Sequence, residues 1–587
     1  MNEEPKSFWK RNRTGWLAYF LGGLVLGLAL FVIVLLIGVV IRAKTPFFAA
    51  TLFGVGGFVL ANLVCFIRWV CCWRNLKRLA FGMACLVTLV ALLIAEENWR
   101  GKRALEHFKQ EWSARGEKFT WQEFVPAVPD DKNFALSSVV ASSYETYFDR
   151  SGHEVLPRNT NVVDRLAMLS WRENPWAHQP HDGGWQMAKP TDLKQWQEFF
   201  RASPPPNSDQ TNSFPTAAQP QSSSADVMLA LSQYDSALNE LRQASRLPES
   251  RFPLTYGKDN PMMILLPHLS SLKGSCRAVT LHAAAALELG QTDLACDDVR
   301  LAFRLADSLR TEPVLISHLV LIAMLQISLQ PIYDGLSEHK WSDAQLRVLD
   351  AELGRLDLLA DYQYTIRGER IFGINGLDYI RRSRDLSSFS ANDYSPPANN
   401  TSKIAKWFSR ALMPDGLFYQ NELTMARMTQ EFLLPMVNAT NRLGSPAKIR
   451  ELQKTAKAEL MGSWSPYKLF AKMLYPAIEK SSEKFVRAQS VVDLARTAIA
   501  LERCRLAHGS FPESLDALAP QFIASVPHDV IGGGPLKYRR EADGTFTLYS
   551  IGWNEKDDGG VVVLTKGSSP DVDVKQGDWV WRYPKKN

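Results

Sequence analysis

Residues 79–112 read "LAFGMACLVTLVALLIAEENWRGKRALEHFKQEW", and the two halves of this stretch set the class of the whole chain. Residues 79–95 are uncharged and bracketed by Lys77-Arg78 and Glu96-Glu97. Seventeen helical residues lie at the lower limit for crossing a hydrocarbon core of ~30 Å. After Ala95 the pattern turns amphipathic, with Trp99, Leu105, Phe108 and Trp112 recurring at near-helical spacing. The spacing predicts one continuous helix whose polar half forms a stalk at the membrane surface, with Trp99 at the interface.

Toward the N-terminus two further apolar runs stand out. Residues 16–41 contain no charge, and residues 47–73 none before Arg68, near the end of the run, where its side chain can snorkel to the headgroups. Each is long enough to cross with tilt, so three N-terminal transmembrane helices are expected at about 16–41, 47–73 and 79–95. A cleaved secretory signal is not expected, because the first run is too long and lacks a small-residue cleavage site. Basic residues flank the start (Lys6, Lys10, Arg11, Arg13) and the gap between the second and third runs (Arg68, Arg74, Lys77, Arg78), against Arg42 and Lys44 in the other gap. That bias places the richer flanks in the cytoplasm and everything after residue 96 outside it; Arg100, Lys102 and Arg103 oppose this, but long domains translocate largely regardless of charge.

The remaining chain divides by composition. Residues 96–202 form a juxtamembrane helix and an aromatic-rich mixed region. Residues 203–224, "SPPPNSDQTNSFPTAAQPQSSS", offer almost no large apolar side chain to offset ordering entropy and are expected to be a disordered linker. Residues 225–484 show helical periodicity, including two amphipathic stretches joined at Gly290-Gln-Thr-Asp293 that resemble one tetratricopeptide unit. An α-helical hairpin array follows, with a capping box at Ser342 and Gln345, a buried rather than spanning helix at 314–329, and a polar loop at 387–402. A concave face of such an array suits a protein or peptide partner.

In residues 485–587 the spacing of Val491, Leu494, Ala498 and Leu501 predicts a helix ending at "HGSFPES". Short strands surround Asp543-Gly544, a pair suited to a tight hairpin turn, and "GVVVLT" and "DWVWRY" add two more. The helix ending in Arg505-x-x-x-Gly509-x-x-Pro512, followed by the sheet and the loop "NEKDDGG", resembles the globular part of type II secretion major pseudopilins over about a fifth of the chain. No prepilin cleavage motif is found, and "PAIEKSSEKFVRAQS" before the helix is polar, so the resemblance implies a reused pilin-like α+β head rather than a fibre subunit. The arrangement of spans and stalk is also similar to a family of large bacterial membrane-anchored proteins of unassigned activity, which implies an inner-membrane location and no particular chemistry. In pseudopilins the acidic loop holds calcium, and the resemblance implies hard oxygen ligands at Asn554, Asp557 and Asp558, with Asp571, Asp573 and Asp578 within reach if the strands pair. The plain alternative is that Asn, Asp and Gly are simply what turns select. An acid/base carboxylate pair is not expected in so exposed a loop.

The chain carries no phosphate-binding P-loop, HExxH helix, nucleophile elbow, dinucleotide turn or CxxC pair. In "NPWAHQPHDGGW", His178, His181 and Asp182 crowd together as a possible metal set, against solvated loop histidines. His268, His282 and His318 stand singly on predicted helices. Trp171, Trp176, Trp185 and Trp196 suit either carbohydrate stacking or core packing, and core packing is favoured because each ring buries a large area. Of seven cysteines, Cys276, Cys296 and Cys504 lie outside the membrane region; a Cys276–Cys296 bond is conceivable, and buried free thiols are the expected state. The net charge of +6 is dispersed and does not indicate nucleic acid. The reading is a membrane-anchored, mainly α protein for protein interaction or envelope scaffolding. The alternatives are a membrane-tethered hydrolase or metal-dependent enzyme, or a secretion-system-associated component.

Overall fold

The computed structural model describes residues 21, 24–34, 46–70, 73–169, 177–181, 183–202, 214–256, 261, 264–384, 413–462, 464–567 and 571–583. The chain forms two compact units, Met1–Glu97 and Asn98–Asn587.

In the first unit, helix α1 (Leu24–Val34) meets α2 (Pro46–Val70) through glycines. A Cβ on Gly27 would lie 2.8 Å from the Gly54 carbonyl oxygen, and one on Gly54 would lie 2.8 Å from the Phe31 Cβ. Only glycine permits so close a backbone approach, which is the usual way apolar helices associate without a hydrophobic driving force. Helix α3 (Trp73–Ser113) is continuous, as the pattern predicts. Its segment Leu76–Ser113 is long and apolar enough to cross a membrane, and none of its most apolar window is buried.

The expectation of three spans is corrected. Among the described residues two helices meet the length and composition of a span, Leu76–Ser113 and Leu315–Ser337. The apolar stretch Leu24–Val34 covers about 16 Å of the ~30 Å needed, and Ala50–Val64 about 22 Å within the 25-residue helix α2; the ends of the expected span 16–41 lie outside the described residues. Leu315–Ser337 is 61% buried over its apolar window, so it is a core helix with span-like composition.

The second unit is mainly helical with a small antiparallel sheet near the C-terminus. Its longer helices are α4 (Leu193–Arg201), α5 (Ser223–Leu231), α6 (Asp235–Ala244), α7 (His268–Glu288), α8 (Thr292–Asp307), α9 (Leu315–Ser337), α10 (Asp343–Gly354), α11 (Leu358–Ser383), α12 (Asp415–Met428), α13 (Pro446–Met461), α14 (Leu469–Glu479) and α15 (Ser481–His508). Helices α7 and α8 form the expected hairpin, turning at Gly290, whose φ of +76° favours glycine. The capping box at Ser342 and Gln345 is present. Strands β1 (Lys537–Arg540), β2 (Phe546–Ser550) and β5 (Trp579–Arg582) pair in the order β1-β2-β5, while β3 (Val562–Leu564) pairs with β4 (Val572–Gly577). Gly544, at φ +82°, closes the β1–β2 hairpin.

Helix α15 decides how the unit is built. Expected as the start of a separate module at residue 485, it packs against α9, α10 and α11 and against β2 and β5, so one core runs from the array into the sheet. The apolar stripe of α15 fills one side. Polar groups on its other side are buried in pairs: Gln489 Oε1 accepts from Leu358 N at 2.8 Å, Asp493 from Arg442 at 2.9 Å, and Glu502 from His339 at 2.9 Å and Arg505 at 2.7 Å, whereas Arg487 Nε and Ser490 Oγ are buried without a partner. Buried polar groups are tolerated when paired in this way.

Two further expectations change. The polar end of α3 does not stand free: Leu105 and Phe108 are buried, Asn98 Oδ1 accepts from Gly416 N at 2.6 Å, and a Cβ on Gly101 would lie 2.9 Å from the Gly416 carbonyl oxygen. Residues 203–213 of the expected linker lie outside the described residues, but from Phe214 onward the chain is packed, with Phe214 4.8 Å from the ring of Phe200 and Ser222 capping α5. One aromatic residue in the polar run supplies the burial that its composition as a whole lacks. The loop expected at 387–402 lies outside the described residues.

Candidate functional site

The cleft with the least satisfied chemistry has a volume of about 730 Å³ and is walled by α7, α9, α15 and the segment 179–187. Helix α7 contributes Lys273 and Arg277, spaced i, i+4 and hence on one face. Helix α9 contributes Gln326 and Gln330, again i, i+4, on an otherwise apolar helix. Arg487 enters from α15, and Asp571 stands at the edge just before β4.

The loop wall is held by α9. Gln330 Oε1 accepts from Trp185 N at 2.9 Å, while Gln330 Nε2 donates to Lys189 O at 3.1 Å and to Asp334 Oδ1 at 2.8 Å. Asp334 also accepts from Thr191 N and from Thr191 Oγ1 at 2.6 Å. Burial pushes the Asp334 carboxyl up to about 6, these hydrogen bonds opposing the rise. Gly183 has φ +88°, and a Cβ there would lie 2.4 Å from Gln330 Cδ, so the loop can seat on Gln330 only because residue 183 is glycine. Trp185 is buried against Trp581, with ring centroids 5.2 Å apart, and donates its indole N–H to Gln326 O at 3.3 Å.

The cations are what distinguish this cleft. Arg487 Nη2 donates to Gln186 Oε1, but among the described residues no carboxylate lies within ion-pair distance of Arg487. Burial pulls its guanidinium down to about 10, with Asp571 and Glu483 opposing this from a distance. Among the described residues Lys273 has no ion-pair or hydrogen-bond partner. A second cleft, of about 530 Å³, is richer in arginine, and four of its five arginines are ion-paired. There Arg242 meets Asp298 at 2.6 Å, Arg304 meets Asp307 at 3.2 Å, Arg300 meets Asp297 at 3.4 Å and Arg355 meets Glu352 at 3.2 Å. The strongly shifted buried groups Glu422, pushed up to about 8, Glu369, pushed up to about 7, and His318, pulled down to about 4, all by burial first, line neither cleft.

The sites expected from sequence fall as follows. His181 lies on the rim of the larger cleft, His178 is exposed nearby, and Asp182 lies outside the described residues. In the acidic loop, Asn554 Nδ2 donates to Asp558 Oδ2 at 2.7 Å, and Asp557 Oδ1 accepts from the Tyr549 hydroxyl at 3.0 Å and from Gly559 N at 3.1 Å. Asp578 accepts from Asp558 N and Gly560 N, fastening the loop to the end of the sheet. Asp571 and Asp573 accept from backbone amides of their own strand. These oxygens thus serve protein donors, and among the described residues no three His, Cys, Asp or Glu side chains gather to hold a metal ion. Trp185 and Trp196 are core residues, whereas Trp171 and Trp176 lie outside the described residues. His268 pairs with Glu312 at 2.7 Å and His282 with Asp298 at 2.5 Å; Cys276, Cys296 and Cys504 are buried thiols outside any disulfide.

Sequence reasoning missed Lys273, Arg277, Gln326, Gln330 and Arg487. The signal available was polar residues recurring at i, i+4 on the apolar stretches that became α7 and α9; their convergence with Arg487, more than 150 residues further on, had none. No family model matches the chain, and neither a curated protein nor a solved structure matches it.

Proposed function

We propose that this chain is a multi-pass membrane protein whose residues 98–587 lie outside the cytoplasm and act in protein interaction or envelope scaffolding. The observation that carries this reading is the contrast between two helices of similar apolar character. The apolar window of Leu76–Ser113 has none of its residues buried, whereas that of Leu315–Ser337 is mostly buried within its own unit. Leucines and valines left exposed over that length are what a lipid surround would cover. The glycine-mediated approach of α1 and α2 supports membrane helices upstream of α3. The basic flanks supply the orientation. The order of helix, Gly509 and sheet supports the pilin-like reading of residues 485–587 as a fold analogy only. No specific observation favours the tethered-enzyme reading.

The test is a pair of reporters fused after Asn587, one active only outside the cytoplasm and one only inside it. Activity of the first alone is expected. Activity of the second alone would remove the orientation, and recovery of the full chain in the soluble fraction would remove the anchor. For the scaffolding role, in-cell crosslinking from residues 98–587 should yield discrete adducts above those of an unrelated anchored domain.

A further inference from the structure

The two clefts differ in how their cations are satisfied, and that difference points to a ligand. A structural arginine in a protein interior is paired, because an unpaired charge taken out of water costs several kcal/mol. Arg370 shows the rule here. It is fully buried, donates to Glu117 at 2.8 Å and to Gln430 at 2.6 Å, and lies over the ring of Phe119. Arg487 breaks the rule: burial pulls its guanidinium down as it does that of Arg370, yet among the described residues it has no carboxylate partner and donates to the neutral amide of Gln186. Lys273 stands in the same cleft with no partner among the described residues, beside Arg277. Among the described lining residues Asp571 is the single carboxylate, and neither Lys273 nor Arg487 is ion-paired to it. Gln179, Gln186, Gln326 and Gln330 surround them with neutral donors and acceptors. A volume of about 730 Å³ lies within the ordinary range for a small-molecule site.

We propose that this cleft binds a small organic anion carrying carboxylate or phosphate groups, with Lys273 and Arg487 facing its charge and the glutamine amides meeting its uncharged part. Guanidinium and ammonium groups recognise both oxyanions, the former through paired N–H donors. Gln186 fixes the Arg487 fork before the ligand arrives, and the contacts from Gln330 and Asp334 hold the loop wall in place. The proposal is independent of the membrane reading, because every residue it uses belongs to the unit of residues 98–587.

The full-length protein in neutral detergent at low ionic strength provides the test, read by thermal unfolding and titration calorimetry with citrate and with inorganic phosphate. At least one should bind saturably; citrate alone would indicate a polycarboxylate ligand, and phosphate alone a phosphorylated one. Lys273→Gln should weaken that binding about tenfold, or ~1.4 kcal/mol, and Arg487→Gln should weaken it further. Without ligand, Arg487→Gln should unfold at or above the wild-type temperature, since it removes an uncompensated charge, whereas Arg370→Gln should unfold well below it. The proposal is overturned if neither anion binds saturably, or if the thermal rise is equal in wild type and both variants, which is the general effect of excluded salts. It is equally overturned if Arg487→Gln destabilises the free protein as much as Arg370→Gln does, since Arg487 would then be structural.

Discussion

The two arginine-bearing clefts of the second unit use the same side chains to opposite ends. In the smaller one, Arg242, Arg300, Arg304 and Arg355 each have a carboxylate within 3.4 Å, and of the lining arginines only the exposed Arg246 stands outside these ion pairs among the described residues. In the larger one, Arg487 and Lys273 have none, and amides take the place of carboxylates. The number of cations is therefore a poor guide to binding. What matters is whether the chain has already supplied their counter-charges, because a paired arginine must give up its partner before it can accept a ligand.

That contrast can be broken most forcefully at Asp298. It is fully buried and accepts from both Arg242 and His282, so Asp298→Ala should cost about 3–5 kcal/mol in urea denaturation; a loss under ~1 kcal/mol would mean that the smaller cleft is not held by its pairs. The next effect belongs to the larger cleft. The Asp334 carboxyl has its folded value raised to about 6 from an ordinary value of 3.8. Between pH 4 and 6 the unfolded chain releases this proton while the folded chain keeps it, so its contribution is complete below pH 4 and is lost as pH rises through 6. Asp334→Asn should remove a slope on the order of 2–3 kcal/mol from stability measured across that window.

A smaller effect is expected at Gly183. Gly183→Ala combines a strained positive φ with a clash on Gln330 and should cost about 1–3 kcal/mol while weakening anion binding, because it lifts the loop wall from α9. An unchanged binding isotherm would show that the wall does not shape the site. Smallest of all, Arg246→Gln on the rim of the smaller cleft should change stability by less than ~0.5 kcal/mol and leave anion binding untouched. A clear loss of citrate or phosphate binding in this variant would move the binding site from one cleft to the other.

Several elements were legible in the sequence for stated physical reasons. The α7–α8 hairpin follows from amphipathic stripes separated by Gly290, the start of α10 from its capping box, and the β1–β2 turn from Asp543-Gly544. The burial of α9 was legible because His318 and Gln326 interrupt an apolar run that lacks charged flanks. The role of α15 was not, since an apolar stripe with Asp493, Glu502 and Arg503 opposite reads as a helix with one wet face. Only contacts with Arg442, His339 and Asp343, all distant in sequence, turn that face into an interior one. The packed end of the expected linker was missed for a similar reason: composition averages over a window, whereas Phe214 acts singly.

The sequence by itself determined the helical class, the position of the apolar helix that crosses residues 79–95, the hairpin turns and the helix ends. Those properties depend on neighbours within a few residues, where periodicity, capping and glycine φ act directly. The tertiary structure alone decided that α15 belongs to the array, that the acidic loop of Asn554, Asp557 and Asp558 spends its oxygens on protein donors, and which cations remain without a counter-charge. Each of those depends on charges and amides far apart in the chain meeting at under 4 Å, and no local pattern encodes that distance.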